Sequence, residues 1–332
     1  MKAIVLISGG LDSILAAKII KNQGIKVIPL KFNIPFYQIN IDKYCGKNLF
    51  DFVKANLGEE LKIADIDKEF LGLLLEPRHG FGTHMNPCID CKILMFTKAK
   101  ALMPKLGAQF IVTGEVLGQR PMSQHKRALC VIEEQSGLKG LLLRPLSAKN
   151  LNPTIPENRG WVNRDNLLCI SGRSRRDQIK LARDLSISGY PNASGGCLLT
   201  DRQFSLRLND LIRHRELNLR NIELLKFGRH FRIGPQTKLI VGRNEKENRY
   251  LEEKVKSGDL LFTPEEKVAG PTCLGVGVFD KEKITLSSRI ACSYSDLCAG
   301  ELRVAYRIIP DRKNKYLNAS LVKKDSLAGL LV

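Results

Sequence analysis

A parallel-sheet α/β domain followed by a smaller α+β domain is the fold this sequence predicts, and three observations predict it. Short apolar runs alternate with segments of helical period over the first two-fifths of the chain. A serine- and glycine-rich turn follows the first apolar run at the point where a strand should pass into a helix. Beyond about residue 233 the regular alternation gives way to a mixed order of strands and helices. With 332 residues and 43% hydrophobic content the chain can bury two cores.

Taken in order, Lys2–Ile7 reads as the first strand and Ile14–Ile20 as the body of a helix. Lys26–Phe32 is the second strand, followed by a loop and a helix to about Asn56, and Leu61–Ile66 and Phe110–Thr113 are further strands. Leu146–Asn163, with Pro153, Pro156 and several Asn, reads as an irregular excursion before a strand at Leu167–Ile170 and a helix from about Arg175 to Leu185. Two short basic helices lead from Asp201 to a strand near Arg232. Then come a strand (Leu239–Val241), a helix (Glu245–Lys256), strands (Asp259–Phe262 and Thr272–Val278), a helix (Leu286–Tyr294) and a strand near Leu302–Ile308. The boundaries that follow are 1–200, a basic connector 201–232, and 233–332.

The turn is Ser8-Gly9-Gly10-Leu11-Asp12-Ser13. Paired glycines let backbone N–H groups close around an anion, the two hydroxyls add donors, and the helix N-terminus adds positive potential. Asp12 would repel a phosphate alone, so its place here calls for a magnesium ion bridging carboxylate and phosphate. No G-x-x-x-x-G-K-[ST] occurs, which excludes the lysine loop of kinases and GTPases. In a parallel sheet ligands bind beyond the carboxyl ends of strands, so this turn, the Phe32 strand end and Thr113-Gly114-Glu115 should converge.

The formal charge of +19 and pI near 9.6 point to a polyanionic partner. No apolar run is long enough to span a membrane, and the N-terminal apolar stretch is too short for a signal peptide, so a cytoplasmic protein with no membrane partner is expected. Nine cysteines without a secretory signal argue for free, metal-bound or catalytic thiols. Cys88-Ile89-Asp90-Cys91 opens a long helix, where the helix dipole favours thiolate, and Cys197 lies in a small-residue loop, Ala193 to Cys197. Three such cysteines suit a [4Fe–4S] cluster with one open iron, and equally a persulfide nucleophile with a resolving thiol, or zinc. Cys130 and Cys169 lie in apolar runs and are expected to be buried and inert; Cys45, Cys273, Cys292 and Cys298 are expected to be structural.

Ser8 to Ser13 resembles the pyrophosphate loop of the PP-loop ATP pyrophosphatases, with their adenine nucleotide α-hydrolase-like fold. Asn86-Pro87-Cys88 with Gly196-Cys197 is similar to the paired cysteines of tRNA 2-thiouridine synthetases. Thr113-Gly114-Glu115-Val116-Leu117-Gly118-Gln119, Ser123-Gln124 and Arg144-Pro145-Leu146 resemble tRNA 4-thiouridine synthetases. Neither the N-terminal RNA-binding domains of the latter nor a rhodanese-like sulfur carrier is recognisable within the chain, which favours a cluster as sulfur holder. The second domain resembles the NFACT-type RNA-binding domain through Val241-Gly242-Arg243-Asn244, Asn248, Gly270-Pro271, Ala291-x-x-Tyr294-Ser295 and Val304-x-Tyr306, with Phe262 where that family usually has tryptophan.

The resemblances imply an ATP-dependent thiouridine synthetase acting on tRNA or another RNA. Ser8, Gly9, Gly10, Leu11, Asp12 and Ser13 would hold pyrophosphate and magnesium, and Phe32 and Gly114 would border the adenosine. Cys88 and Cys197 would carry sulfur, with Cys91 joining them as cluster ligand. Arg173, Arg175 and Arg176 would clamp RNA near this site, and Arg243 and Asn244 would contact it in the second domain. The competing expectations are an amidating or small-molecule-modifying PP-loop enzyme, and an RNA-binding adaptor with a vestigial ATP loop.

Overall fold

The computed structural model describes residues 1–37, 48–190, 196–265, 268–296 and 300–332. They divide into two compact units, Met1–Thr200 and Asp201–Val332.

The first unit is built on a five-stranded parallel sheet. Its elements are β1 (Lys2–Leu6), α1 (Leu11–Lys21), β2 (Lys26–Asn33), α2 (Leu49–Leu57), β3 (Lys62–Asp65), α3 (Asp67–Leu75), α4 (Cys88–Leu106), β4 (Phe110–Thr113), α5 (Lys126–Gln135), β5 (Leu142–Leu143), α6 (Ile155–Asn158) and α7 (Arg176–Asp184). The strand order is β3-β2-β1-β4-β5. β1 is central and pairs in parallel with both β2 and β4. Ala3, Ile4 and Val5 are all inaccessible to solvent, as a parallel strand covered on both faces requires. On one face Ala3, Val5, Val27, Phe110 and Val112 pack with the buried side of α1, Ile14 to Ile20, and with Phe52 and Val53 of α2 and Ala182 of α7.

This sheet is the predicted α/β architecture. One predicted strand is absent: Leu167–Ile170 hydrogen-bonds back to Pro145 and Leu146 through Leu168 and Ile170, but the chain turns away after a single bridge between Leu117 and Ser171. Gly172, at φ +83°, makes that turn.

The second unit contains α8 (Arg202–Arg213), α9 (Leu219–Leu224), β6 (Arg229–Gly234), β7 (Thr237–Val241), α10 (Glu245–Glu253), β8 (Leu260–Pro264), β9 (Cys273–Gly277), α11 (Lys281–Ser293), β10 (Glu301–Ile308) and β11 (Lys315–Ser320). Six antiparallel strands run in the order β11-β10-β8-β9-β7-β6. On one face Phe231, Phe262, Val304 and Ile290 form the main core, with Phe262 between Phe279 and Tyr306. On the other, Leu224 of α9 and Leu251 of α10 cover Ile240, Leu261 and Leu274. The basic stretch 201–232 supplies α8, α9 and β6 of this unit, tied in by Asp210 of α8, which pairs with Arg232 and Lys238. Among the described residues no helix is long and apolar enough to cross a membrane.

Candidate active site

The strand order reverses between β1 and β4, so the crevice beyond their carboxyl ends is the topological switch point of the first sheet. Ser8 to Ser13 leave β1 there. Gly9 holds φ +87°, a left-handed conformation that explains glycine at this position. Ser13 Oγ donates to the Gly10 carbonyl (2.8 Å), and Gly10 N–H donates to Ser8 Oγ (3.3 Å), which closes the loop on itself. Gly10 caps α1 without a side-chain hydrogen bond. Leu11 is wholly buried and belongs to the core; Phe32 is likewise buried, at 4% exposure.

Gly114, one residue past β4, lies directly against this loop. A Cβ on it would sit 2.4 Å from the Asp12 carbonyl carbon and 2.5 Å from the Ser13 nitrogen. The loop and the end of β4 meet at that distance only because residue 114 has no side chain.

Asp12 is the focus of the crevice. Gln119 Nε2 donates to its Oδ2 at 3.1 Å, while its Oδ1 is buried without a hydrogen-bond partner. Burial raises the Asp12 pKa above the usual carboxylate range; the Gln119 hydrogen bond and the charges of Arg175 and Arg120 partly offset it. Arg175 is half-buried, and its Nε has no partner either. It is held near Asp12 because Gly172 N–H bonds the Leu117 carbonyl (2.7 Å) and Ser147 Oγ accepts from Leu117 N–H and donates to the Ile170 carbonyl. The Arg175 charge acts on the loop aspartate, and Arg173 and Arg176, expected with it to contact RNA, are exposed.

The three cysteines are close enough to act electrostatically on one another, and the Arg120 charge links Cys197 to Asp12. Cys197 bridges Tyr37 just beyond β2, and Leu198 N–H donates to the Phe36 carbonyl. Cys88 and Cys91 occupy the first turn of α4. Burial pushes the Cys91 thiol far up, and the neighbouring Cys197 and Cys88 push it further; burial takes the Cys197 thiol up to about 11. Tyr37 is raised by burial and by the same three sulfurs. Cys88 differs from the other two, because the Asn86 amide donates to its Sγ at 3.3 Å. All three are free thiols, and no group of three or more His, Cys, Asp or Glu side chains among the described residues is disposed to hold a metal ion. Arg120, on the exposed turn after Gln119, acts electrostatically on Asp12, Tyr37 and Cys197 alike. Sequence reading missed Arg120. Its signal was position, immediately after the Thr113–Gln119 motif.

Two motifs form a buried ion network. Glu115 accepts from Lys92, directly after Cys91, and from Arg144 Nε at 2.9 Å; Arg144 also pairs with Glu133 at 3.0 Å. Burial opposes ionisation of Glu115, but the charges of Lys92 and Arg144 outweigh it and hold its pKa down. The network fastens the first turn of α4 to the end of β4. Cys130 and Cys169, expected to be buried, are exposed: Cys130 lies on the side of α5 opposite its buried Ala128, Leu129 and Ile132, and Cys169 points away from buried Ile170. Cys273 and Cys292 are buried, and Cys45 and Cys298 lie outside the described residues.

In the second unit Arg243 forms a forked pair with Glu247 (2.6 and 2.9 Å), and Asn244 caps α10 by accepting from Glu247 N–H at 3.0 Å. Of the basic residues between 201 and 232, Arg220 pairs with Asp259, Lys226 with Glu223, and Arg232 with Asp210 and Glu216; Arg202, Arg213 and Arg215 are exposed. The positive excess is shared between the units, with 28 Lys and Arg against 17 Asp and Glu in the first and 25 against 17 in the second.

Comparison with known proteins follows this division. Residues 1–155 match the family described as thiamine biosynthesis protein (ThiI), and residues 228–329 match the NFACT protein RNA binding domain. A probable tRNA sulfurtransferase of Methanosarcina mazei is 32% identical over 122 residues, 36% of this chain and 29% of that protein. One of Thermococcus kodakarensis is 29% identical over 157 residues, 44% of this chain and 36% of that protein. The tRNA-specific 2-thiouridylase MnmA 2 of Clostridium botulinum is 27% identical over 191 residues, 55% of this chain and 50% of that protein. The chain therefore spans about a third to a half of the length of these curated relatives. Among solved structures, a 4-thiouridine synthetase–RNA complex with bound ATP aligns at TM-score 0.35 and 22% identity, covering 56% of this chain and 51% of that one. In its first unit the chain resembles the ThiI-type sulfurtransferases and the 2-thiouridylases, and in its second it resembles the NFACT protein RNA binding domain.

Proposed function

We propose that this protein is an ATP-dependent thiouridine synthetase of tRNA or another RNA, acting in the cytoplasm. The observation that carries the reading is the proximity of these groups: Asp12 with an unpartnered oxygen, three mutually close thiols, and Arg120 acting on both Asp12 and Cys197. A uracil carbonyl is amide-like and a poor electrophile, so replacing its oxygen by sulfur requires that oxygen to become a leaving group, which adenylation achieves. Ser8, Gly9, Gly10 and Ser13 would receive the pyrophosphate, with Arg175 and Arg120 adding positive charge where charge develops on the leaving phosphates. Gly114 serves this site by letting the loop approach β4.

The residues fit a magnesium ion, since Asp12 Oδ1 is a hard oxygen donor left unpaired in the crevice. Bound there, the ion would neutralise phosphate charge. For sulfur, the Asn86 hydrogen bond to Cys88 favours Cys88 as the residue that carries a persulfide, and Cys197 as the thiol that resolves it into a Cys88–Cys197 disulfide as the thiolated base leaves. The nearness of Cys91 is what favours the second reading, a cluster on Cys88, Cys91 and Cys197. As built, the three do not form a metal-holding group.

The test is to incubate the protein with ATP, RNA, a persulfide (sulfane-sulfur) donor and a dithiol reductant, which returns the Cys88–Cys197 disulfide to thiols. AMP, pyrophosphate and a thiolated nucleoside are expected, and all three should vanish in Asp12→Ala. ADP as the sole nucleotide product refutes the assignment. Cys88→Ser and Cys197→Ser should lose the thiolated nucleoside while still binding ATP. Anaerobically purified protein holding about four irons, together with a dead Cys91→Ser, would select the cluster. RNA affinity should reside chiefly in the second unit and fall with salt by a slope near −0.7 per single-strand phosphate.

A further inference from the structure

In the second unit Arg220, Arg232, Lys238, Arg243 and Arg249 are already engaged by carboxylates. The ribbon formed by β10 and β11 is different. Residues 301–320 carry five Lys and Arg against two Asp and Glu. Among the described residues only Arg303 of these five cations has a carboxylate partner, Glu265 at 3.6 Å, and that pair is exposed on both sides and correspondingly weak. Arg312, Lys313 and Lys315 are exposed, and Arg307 is half-exposed.

Register places these charges around a platform. Thr263, Ala305 and Tyr316 are directly opposite one another across β8, β10 and β11, so they share one face of the sheet. Two residues along β10 on either side of Ala305, on that same face, stand Arg303 and Arg307. Beside the small side chains of Thr263 and Ala305, Tyr316 stays 50% exposed, with the Arg303 guanidinium 4.1 Å from its ring centroid. An exposed aromatic ring on a strand, flanked by Arg307, which has no carboxylate partner among the described residues, and by Arg303, whose pair with Glu265 is exposed and weak, is what an unstacked base and its backbone require. A duplex would keep its bases out of reach of Tyr316, and an acidic peptide would use the cations but not the ring.

We infer that the β10–β11 ribbon is the surface on which this protein holds a single-stranded stretch of RNA, with one base stacked on Tyr316 and the flanking phosphates on Arg303 and Arg307. This rests on reading the second unit as RNA-binding, and it moves the contact surface away from Arg243 and Asn244.

The test measures binding of a fluorescent single-stranded RNA 12-mer to the full chain without ATP, in competition with duplex RNA and with polyglutamate. Tyr316→Ala should weaken binding by about 5- to 150-fold, the range for one base–aromatic stack. Tyr316→Phe, which keeps the ring, should bind as wild type does and shows that the strand is intact. Arg307→Ala should lower the salt slope by about 0.7, and Arg249→Ala, on α10, should change nothing. If Tyr316→Ala binds like wild type, or if polyglutamate competes as well as single-stranded RNA, the inference is overturned. Because the binding assay contains no ATP, a wild-type protein that binds RNA through Tyr316 yet yields no AMP when ATP and RNA are supplied in the separate activity test would sink the thiolation reading and leave this surface standing.

Discussion

Replacing Gly114 by alanine tests the crevice at its narrowest point. The new methyl would sit 2.4 Å from the Asp12 carbonyl carbon and 2.5 Å from both the Asp12 oxygen and the Ser13 nitrogen. These are backbone atoms of a helix start, so no side chain can swing away to relieve the contact. Restoring ordinary contact needs a shift of about 1 Å, and overpacking of this kind costs about 1–3 kcal/mol. For a unit of this size each kcal/mol lowers Tm by about 2–4 °C, so a fall of ~2–12 °C is expected. The larger effect should be on chemistry, because a displacement of about 1 Å between reacting groups can cost ~100-fold in rate. Two neighbours calibrate the experiment. Gly10→Ala brings its Cβ no closer than 3.5 Å to Ser8 Oγ and should leave Tm nearly unchanged. Gly9→Ala must hold φ +87° and should lose about 1–3 kcal/mol from backbone strain alone. Calorimetry and pyrophosphate release, measured on all three, separate the effects. Gly114→Ala with wild-type Tm and wild-type pyrophosphate release would refute the argument.

Three further outcomes follow from the same crevice. Because burial raises the Asp12 pKa in the folded state, the stability it contributes is present below the ordinary carboxylate value and is lost as pH rises through the raised one. Asp12→Asn should therefore melt higher than wild type at neutral pH, with the gap closing under acid, while pyrophosphate release is lost; equal melting at every pH would contradict this. Glu115→Gln leaves Lys92 and Arg144 facing an amide, and because Arg144 keeps Glu133 the loss should lie near the lower end of the ~3–5 kcal/mol for breaking a buried pair. A thermal shift of under about 2 °C would show the network to be dispensable. With its thiol at about 11, Cys197 should be alkylated by iodoacetamide about tenfold faster per pH unit from 8 upward, followed by peptide mass spectrometry; a plateau below pH 9 would be inconsistent with its burial.

Much of the first unit was legible because its signals are local. A turn with two glycines between an apolar run and a helical period has few other uses, and the parallel sheet follows from the alternation. What the sequence withheld was pairing in space. Arg175 and Arg243 carry the same charge on the page, yet one acts on a carboxylate with an unpaired oxygen and the other is locked in a fork with Glu247. Glu115 and Arg144 were visible as parts of separate motifs, but nothing local says that they share one buried network with Lys92. Cys130 looked buried because its neighbours are apolar; on a helix, neighbours in sequence lie on different faces. The β10–β11 ribbon escaped notice because charge was counted along the chain, where neutralised and free cations look alike.

Asp210 has a consequence for inheritance. It lies on α8, before the start of the matched RNA-binding region at residue 228, and it shares its carboxylate between Arg232 and Lys238, with Glu216 completing the pairing of Arg232. Lys238 is 4% exposed, so without Asp210 its charge would be stranded in the interior of the sheet. A segment recombined at residue 228 would take the cations and leave their counter-ions behind. The compact unit that keeps these cations and their counter-ions together starts at Asp201, two helices ahead of the matched region.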